Sequence, residues 1–388
     1  MAALKILSVD DEAPIELLFK QYFRRKIRAG EYEFFFARNG LEALAVLNDH
    51  PDIEIILCDI NMPEMDGLTL LAKVNEMNNP ALRVIMVSAY GDMGNIRQAM
   101  NNGAFDFATK PIDMEDLAVT IEKAIEQIRF VHETQKEHTQ LESLKEDLSV
   151  ASEIQQFFLP RVFPPFPEDN DKLDIFASMK AAKNVGGDFY DFFRIDDDHI
   201  ALVIADVCGK GVPAALFMAV SQTIIRSKGM QCNHAEECMT VANHLLASYS
   251  VDCMYVTVFY AIYNTKTGLV NYCNAGHNPP YLLRADGTTE ELPKKQNLMA
   301  GVFDGLEYKS FTLQLEQGDS LVMFTDGVTE AMNASREEFG NERLEVILKE
   351  AHEMSSQQII NAIKAGINDF VGEEEQTDDI TMLVLKRK

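Results

Sequence analysis

The chain has 388 residues, 47% of them hydrophobic, and this length predicts about two folded domains because single cores rarely exceed about 250–300 residues. Its formal net charge of −26 would repel phosphate backbones and anionic membrane surfaces, so the composition argues against nucleic-acid and membrane partners. Acidic residues follow closely on the first residues and no apolar run approaches the roughly 18 residues of a membrane span, so we expect a cytoplasmic protein.

Short apolar segments alternate with helical patterns in the N-terminal part of the chain. Strands are predicted at 5–9, 32–37, 53–58, 83–88 and 105–108. Helices are predicted at 16–29, 41–48, 68–76 and 96–101, and a fifth begins at Met114. This alternation predicts an α/β domain with a doubly wound, five-stranded parallel sheet, in which a ligand site lies beyond the carboxyl ends of the strands.

Residues with phosphoryl-transfer chemistry follow these predicted strands. They are Asp10 and Asp11 after the first strand, Asp59 after the third, Ser88 at the end of the fourth and Lys110 after the fifth. Singly, each has an ordinary interpretation as a helix cap, a strand-end serine or a solvated loop lysine. Together they suit one chemistry, in which three acids hold Mg²⁺, one of them is the nucleophile, and a lysine and a hydroxyl bind a phosphoryl group.

The motifs VDDE, CDINMPEMDG, VSAY and TKPID, in this order, resemble the receiver domain of two-component response regulators, here spanning residues 1–117. The resemblance implies that Asp59 accepts a phosphoryl group from a histidine kinase, with Ser88 and Lys110 binding its oxygens. It also implies that Phe107 is the aromatic switch residue and that the Lys110–Pro111 peptide is cis. The implied Mg²⁺ ligands are Asp10, Asp11, Asp59 and the carbonyl of Asn61.

A charged segment without glycine or proline continues to residue 159 and predicts a helical linker over 118–158. One apolar stripe comprises Leu117, Ile121, Ile125 and Ile128, and a second comprises Leu141, Leu144, Leu148 and Ala151. The 3,4 spacing of the second stripe suits a coiled coil. Because residues 132–140 between the stripes are polar, the linker either pairs with a second copy of the chain or packs against the chain's own domains.

Carboxylates in the C-terminal part also lie at the ends of predicted strands. NVGGDFYDFF and ALVIADVCGKG predict a hairpin with Asp188 on one arm and Asp206 at the end of the other. Asp326 follows an apolar run, and Asp378 and Asp379 open another. Converging acids would suit two divalent cations about 3.5–4 Å apart that activate a water for hydrolysis. The alternative interpretation makes Asp188 a turn residue and Asp206 a helix cap.

Five motifs, GGDFYDF, ADVCGKGVPAAL, NAGHNPP, FTDGVTEA and DDITMLV, resemble in order and separation the bacterial metal-dependent serine/threonine phosphatases of the stage II sporulation protein E type. The resemblance implies an α+β domain over 159–388, an antiparallel β-sandwich flanked by helices, with two Mn²⁺ or Mg²⁺ at one end. By matching position, Asp206 would bridge both cations, Asp188 and the Val207 carbonyl would be ligands, and Asp326 and Asp378 would hold the first cation.

Three residues near these motifs keep open roles. Asp379 stands where many relatives have asparagine, so it is either a metal ligand or a supporting residue. Cys208 occupies the place of a histidine assigned as general acid in eukaryotic relatives, which leaves the proton donor unassigned. His277 is either a loop histidine held by neighbouring backbone or a residue that faces the substrate.

The predicted function is that of a response regulator whose phosphorylation at Asp59 controls a metal-dependent protein serine/threonine phosphatase. Its predicted partners are a histidine kinase, a phosphoserine or phosphothreonine protein and a second copy of the chain. By analogy with regulators of this architecture, the substrate would be a phosphorylated anti-sigma-factor antagonist. The alternative is a catalytically silent scaffold that controls a sigma factor by binding, although a scaffold has no need of four strand-end carboxylates.

Overall fold

The structure is a computed structural model and describes residues 3–89, 92–250, 254–293 and 297–388. Tyr90 of the VSAY motif therefore lies outside the described residues. The chain divides into two compact units, one ending at Leu144 and one beginning at Lys145. Within the described ranges, no helix is long and apolar enough to cross a membrane.

The first unit contains a five-stranded parallel sheet of order β2-β1-β3-β4-β5, as predicted. Its strands are β1 (Leu4–Val9), β2 (Tyr32–Ala37), β3 (Ile55–Asp59), β4 (Arg83–Ala89) and β5 (Asp106–Lys110). Its helices are α1 (Ala13–Tyr22), α2 (Arg24–Arg28), α3 (Gly40–Asp49), α4 (Gly67–Glu76), α5 (Met93–Asn101) and the start of α6 (Met114–Phe158). The region predicted as one helix over 16–29 forms two, because the chain breaks at Phe23 and its ring packs against Phe34.

Alternate residues of the central strands face two separate cores. On β1, Leu7 packs into one core and Ile6 into the other, as a doubly wound sheet requires. The first turns of α6 cover the second core, where Leu117, Ile121, Ala124, Ile125 and Ile128 are buried. The apolar stripe of Leu117, Ile121, Ile125 and Ile128 thus covers this face of the sheet.

Helix α6 has 45 residues and spans the whole predicted linker. Its second apolar stripe is largely accessible to solvent, with Leu141 50% and Leu144 56% exposed. Its last turns become buried again at Gln155, which is 8% exposed.

The second unit contains two five-stranded antiparallel sheets of order β13-β10-β9-β8-β7 and β12-β11-β14-β15-β6. The strands are β6 (Leu173–Lys180), β7 (Phe189–Arg194), β8 (His199–Val207), β9 (Val256–Asn264), β10 (Leu269–Ala275), β11 (Tyr281–Leu283), β12 (Thr289–Glu291), β13 (Phe311–Gln314), β14 (Ser320–Phe324) and β15 (Ile380–Arg387). The helices are α7 (Val212–Gly229), α8 (Ala235–Tyr249), α9 (Asp326–Thr329), α10 (Gly340–Glu350) and α11 (Ser356–Val371).

Successive residues of β14 face opposite sides of its sheet, and this alternation shows how the layers pack. Leu321 and Met323 belong to the core between the sheets, whereas Val322 and Phe324 face the core beneath α10 and α11. Helices α7 and α8 pack on the other sheet. This arrangement confirms the predicted antiparallel sandwich flanked by helices.

The register of the strands brings the predicted acids to one end of this sandwich. In the β7–β8 hairpin Phe189 pairs with Ala205, so Asp188 and Asp206 come next in register. In the other sheet Phe324 pairs with Met382, and the Thr325 amide donates to the Thr381 carbonyl. Asp326 follows Thr325 directly, and Asp379 lies two residues before Thr381.

Candidate active site and phosphorylation site

The receiver acids come together at the carboxyl ends of two adjacent strands. Asp10, Asp11 and Asp59 offer oxygens that all lie within 4.8 Å of one another. Lys110, at the end of β5, places Nζ 2.6 Å from an Asp59 oxygen and 2.9 Å from an Asp10 oxygen. The strand ends thus assemble the residues that the sequence predicted, and the oxygen-only donor set fits Mg²⁺.

The charges of this site are coupled through Lys110. Burial raises the pKa of Asp10, although the Lys110 ammonium opposes the shift. Burial also acts to lower the pKa of Lys110, but hydrogen bonds to Asp59 and Glu12 outweigh it and the pKa is raised overall. The Glu12 contact, 2.9 Å from Nζ, was not predicted.

Ser88 and the backbone around Asp59 complete the receiver site. Ser88 is fully buried, and its hydroxyl has no hydrogen-bond partner among the described residues. Such a hydroxyl can donate to a phosphoryl oxygen. The Asn61 amide lies 3.3 Å from an Asp59 carboxylate oxygen, and a Cβ at Gly67 would lie 2.1 Å from the Asp59 carbonyl oxygen. Phe107 packs partly buried against the core, and the Lys110–Pro111 peptide is cis.

Asp188 and Asp206 form a neighbouring carboxylate pair in the second unit. They share a hydrogen bond, and the Thr325 hydroxyl donates to Asp188 over 2.7 Å. Burial, followed by the neighbouring Asp206 charge, raises the pKa of Asp188 well above its ordinary value. Burial, followed by the charge of Asp326, raises the pKa of Asp206 to about 7. The pair therefore retains a proton at pH values where an exposed aspartate has lost it.

Asp326 and Asp378 are the further acids of this centre, since Asp326 interacts electrostatically with both Asp206 and Asp378. Burial and then the Asp378 charge raise the pKa of Asp326. Lys210, in the loop between β8 and α7, places Nζ 2.8 Å from an Asp378 carboxylate oxygen and 2.8 Å from the Thr377 carbonyl. Across the described ranges, no three carboxylates of this unit approach one another as closely as the receiver trio does. Lys210 partly neutralises the cluster, and this ion pair was not predicted from the sequence.

Asp379 holds the loop that precedes Asp188. One carboxylate oxygen accepts from the Ala182 amide over 2.8 Å, and the other accepts from the Gly187 amide over 2.7 Å. A Cβ at Gly186 would lie 2.2 Å from the second oxygen, so a larger residue there would have to displace this carboxylate. These contacts favour a supporting role for Asp379 over direct metal ligation.

Glycine also leaves room beside the predicted carbonyl ligand. A Cβ at Gly187 would lie 2.8 Å from the Val207 carbonyl oxygen. Cys208, the next residue, accepts through Sγ from the Tyr255 amide over 3.1 Å, and its own amide donates to the Tyr255 carbonyl. The Cys208 side chain is thus engaged by the backbone of the residue before β9, which does not favour Cys208 as a proton donor.

His277 is buried beneath the site, with 2% of its surface exposed. Its Nδ1 lies 2.9 Å from the Thr257 hydroxyl, and the ring also forms a hydrogen bond with the Phe324 backbone. Burial lowers the pKa of His277 to about 4, so the ring is neutral at neutral pH. Asn274 fixes the loop through bonds to the His277 amide and carbonyl. This environment favours the interpretation of a loop histidine held by its neighbours.

The acidic end of the sandwich fits hard divalent cations by its donor chemistry. Its candidate donors are oxygens: the carboxylates of Asp188, Asp206, Asp326 and Asp378 and the carbonyl of Val207. Such donors suit Mg²⁺ or Mn²⁺. Cation charge would also relieve the repulsion that raises the pKa values of Asp188, Asp206 and Asp326.

Family comparisons match both parts of the chain. Residues 6–122 match the response regulator receiver domain, and residues 196–388 match stage II sporulation protein E. The chain is 33% identical over 254 residues to the phosphoserine phosphatase RsbU of Bacillus subtilis, covering 64% of this chain and 72% of that protein. It is 29% identical over 268 residues to protein IcfG of Synechocystis, covering 62% of this chain but only 41% of IcfG.

A solved structure confirms the fold of the second unit. The SiaA-PP2C domain of Pseudomonas aeruginosa superimposes with a TM-score of 0.57 at 21% identity, covering 63% of this chain and 98% of that domain. At this identity the likeness concerns the fold alone.

The raised pKa values of Asp188 and Asp206 predict that the stability of chelator-treated protein depends on pH. Because the folded-state pKa of Asp206 exceeds that of an unfolded aspartate, its contribution to stability is present below about pH 4 and is lost as the pH rises through about 7. Asp206→Asn should therefore raise the melting temperature of the second unit at pH 8 and change it little at pH 4, as measured by scanning calorimetry.

Asp197→Asn is the matched control, because Asp197 is an exposed acid in the turn of the same hairpin. It should melt like the wild type at both pH values. Equal melting of Asp206→Asn and wild type at pH 8 would contradict the assignment of a strained acidic pair.

Proposed function

Because this chain belongs to the stage II sporulation protein E family of phosphatases and carries a response regulator receiver domain, we propose that phosphorylation of Asp59 controls its hydrolysis of phosphoserine or phosphothreonine in a protein. The observation that carries the proposal is the assembly of Asp188, Asp206 and Asp326 in one mutually repelling cluster, with Asp378 beside it. A scaffold that acts only by binding has no use for such a destabilising arrangement.

The similarity to RsbU, a phosphoserine phosphatase, supports the substrate class. We infer that the substrate is a phosphorylated anti-sigma-factor antagonist, which follows from the analogy with regulators that join a receiver to this phosphatase type. A histidine kinase is the corresponding upstream partner, because the receiver acids and Lys110 suit acceptance of a phosphoryl group on a carboxylate.

Asp188, Asp206, Asp326 and Asp378, with the Val207 carbonyl, would hold two Mn²⁺ or Mg²⁺. When bound, such cations neutralise phosphate charge and acidify the water that attacks phosphorus. The chain's own residues keep the donors in place: Thr325 fixes Asp188 by a hydrogen bond, and Asp379 fixes the Gly187 amide. Lys210, whose side chain is 47% exposed, is the nearby cation that can approach the substrate phosphate.

The receiver would respond to phosphorylation through Lys110. A phosphoryl group on Asp59 carries about two negative charges. Lys110 already contacts Asp59, Asp10 and Glu12, so a larger charge at Asp59 competes with the other two acids for its ammonium. Redistribution of these contacts would shift the loop that follows β5, the strand that carries Phe107. Mg²⁺ held by the acidic trio would neutralise part of the phosphoryl charge.

We predict phosphatase activity that depends on Mn²⁺ or Mg²⁺ and that Asp206→Asn reduces by at least about 10³-fold, since this carboxylate would contact both cations. The measurement is phosphate release from a phosphoserine protein, with Asp197→Asn as the control that keeps wild-type activity. Undiminished hydrolysis in excess chelator would exclude the metal-dependent mechanism. A wild-type chain that binds Mn²⁺ yet releases no phosphate from any phosphoprotein would favour the scaffold.

We also predict that a small phosphodonor with Mg²⁺ labels Asp59 as an acyl phosphate, stable in acid and labile in base, because only a carboxylate nucleophile gives that lability. Asp59→Ala should lose the label, and mass spectrometry would locate it. The Lys110→Ala variant should still bind the phosphodonor, but its phosphatase rate should change only weakly when the donor is added. Persistent labelling of Asp59→Ala would move the acceptor elsewhere.

A third prediction concerns the second apolar stripe of α6, which runs from Leu141 to Ala151. If phosphorylation promotes pairing of α6 helices from two copies, beryllofluoride should raise the mass measured by light scattering and change the phosphatase rate. Leu144→Asp with Leu148→Asp should abolish both responses. Val150→Asp is the control, because Val150 is 56% exposed but lies off the 3,4 stripe. An equal rate response in the double variant would show that control does not run through a paired helix.

A further inference from the structure

Gln155, near the end of α6, makes a two-point contact with the backbone beside the acidic centre. Its side chain is buried, and Nε2 donates to the Gly186 carbonyl over 2.5 Å. The Gly186 amide donates in return to Oε1 over 3.0 Å. The glutamine amide thus satisfies both polar groups of one residue, as a neighbouring strand would, and fixes that residue in two directions.

Gly186, the residue held in this way, lies two positions before Asp188, one of the proposed metal ligands. The three consecutive amides of Gly186, Gly187 and Asp188 are directed to just two side chains, with the first bound to Gln155 and the next two to Asp379 over 2.7 and 3.4 Å. Because a Cβ at Gly186 would clash with Asp379, this stretch is confined between the two side chains. Any displacement of Gln155 therefore acts on the backbone that carries Asp188.

The end of α6 also contacts the chain on the other side of Asp188. The Tyr190 hydroxyl donates to the Pro160 carbonyl over 2.9 Å, and Gln222 of α7 approaches the Phe158 carbonyl at 3.4 Å. Residues two before and two after Asp188 are thus bonded to the same short segment, 155–160. Segment 155–160 can therefore move only if the loop before Asp188 or strand β7 moves with it, or if these hydrogen bonds break.

The spacing of α6 connects this contact to the exposed stripe. The 3,4 series Leu141, Leu144, Leu148 and Ala151 continues to Gln155 and Phe158. Gln155 is thus the polar member of an otherwise apolar series, at the point where the series becomes buried. A rotation of α6 imposed through the stripe would displace Gln155 by the same angle.

We propose that Gln155 is a positioning residue that transmits the placement of α6 to the Asp188 loop and so sets the affinity of the acidic centre for its divalent cations. This inference rests on the proposed metal-dependent function. It identifies a route by which signals reaching α6 alter the phosphatase without touching the substrate.

The test compares Gln155→Leu with the matched control Gln156→Leu in the full chain. Leucine preserves helix propensity, and Gln156 is an exposed glutamine at the next position. In chelator-treated protein, hydrogen exchange of the Gly186 and Gly187 amides should quicken at least about tenfold in Gln155→Leu alone. Calorimetric titration with Mn²⁺ should show affinity reduced about 10- to 100-fold, as for other residues that orient metal ligands.

Two further readouts separate positioning from general damage. Saturating Mn²⁺ should restore most of the phosphatase rate of Gln155→Leu, because the ligands themselves are intact. Gln155→Glu, which keeps an acceptor for the Gly186 amide but loses the donor, should show an intermediate Mn²⁺ affinity. Gln156→Leu should match the wild type within about twofold in every measurement.

The outcomes distinguish the inference from its premise. Wild-type exchange and wild-type Mn²⁺ affinity in Gln155→Leu would overturn the positioning role while leaving the proposed function intact. A global loss of exchange protection in Gln155→Leu, with a wild-type Mn²⁺ affinity in Gln155→Glu, would also overturn it, since it would show only a structural contact. Absence of Mn²⁺ binding by the wild type would overturn the proposed function and this inference together.

Discussion

Repulsion between carboxylates at one end of the sandwich is the constraint on which the surrounding structure depends. The hairpin register brings Asp188 and Asp206 together, and burial removes the water that would screen their charges. The fold compensates with groups from separate parts of the chain: the Thr325 hydroxyl donates to Asp188, and the Lys210 ammonium pairs with Asp378. These contacts join the residue after β14 to the residue before β7, and the β8–α7 loop to the segment before β15.

The receiver meets a similar problem with a single counterion. Three acids lie within 4.8 Å of one another, and Lys110 contacts two of them together with Glu12. In the phosphatase unit the support comes from several groups, among them the Thr325 hydroxyl on Asp188 and the Asp379 carboxylate on the backbone amides before it, which suits a site whose donors must stay in place during turnover.

The sequence predicted those features that depend on local periodicity and on strand ends. Apolar runs indicated strands such as β14 and β15, and the acids at strand ends predicted both candidate sites. The contacts it missed join residues far apart in sequence, as Gln155 joins Gly186 and Lys210 joins Asp378, and their partners depend on three-dimensional register. The burial of His277 was likewise hidden, since it depends on Thr257 and Phe324 from other strands. One signal was available for Gln155, a polar residue within an apolar 3,4 series.

A site in which like charges are held close together responds strongly to small displacements of its backbone. Two unit charges 4 Å apart interact by about 4 kcal/mol at an effective dielectric constant of about 20, and separation to about 5 Å changes this by about 0.8 kcal/mol. That difference corresponds to about fourfold in an equilibrium constant, because about 1.4 kcal/mol is tenfold. A shift of about 1 Å at the Asp188 loop therefore suffices for graded control through one carboxylate. Larger control requires several donors to move together, and the shared attachment of segment 155–160 on both sides of Asp188 provides the means for such a concerted shift.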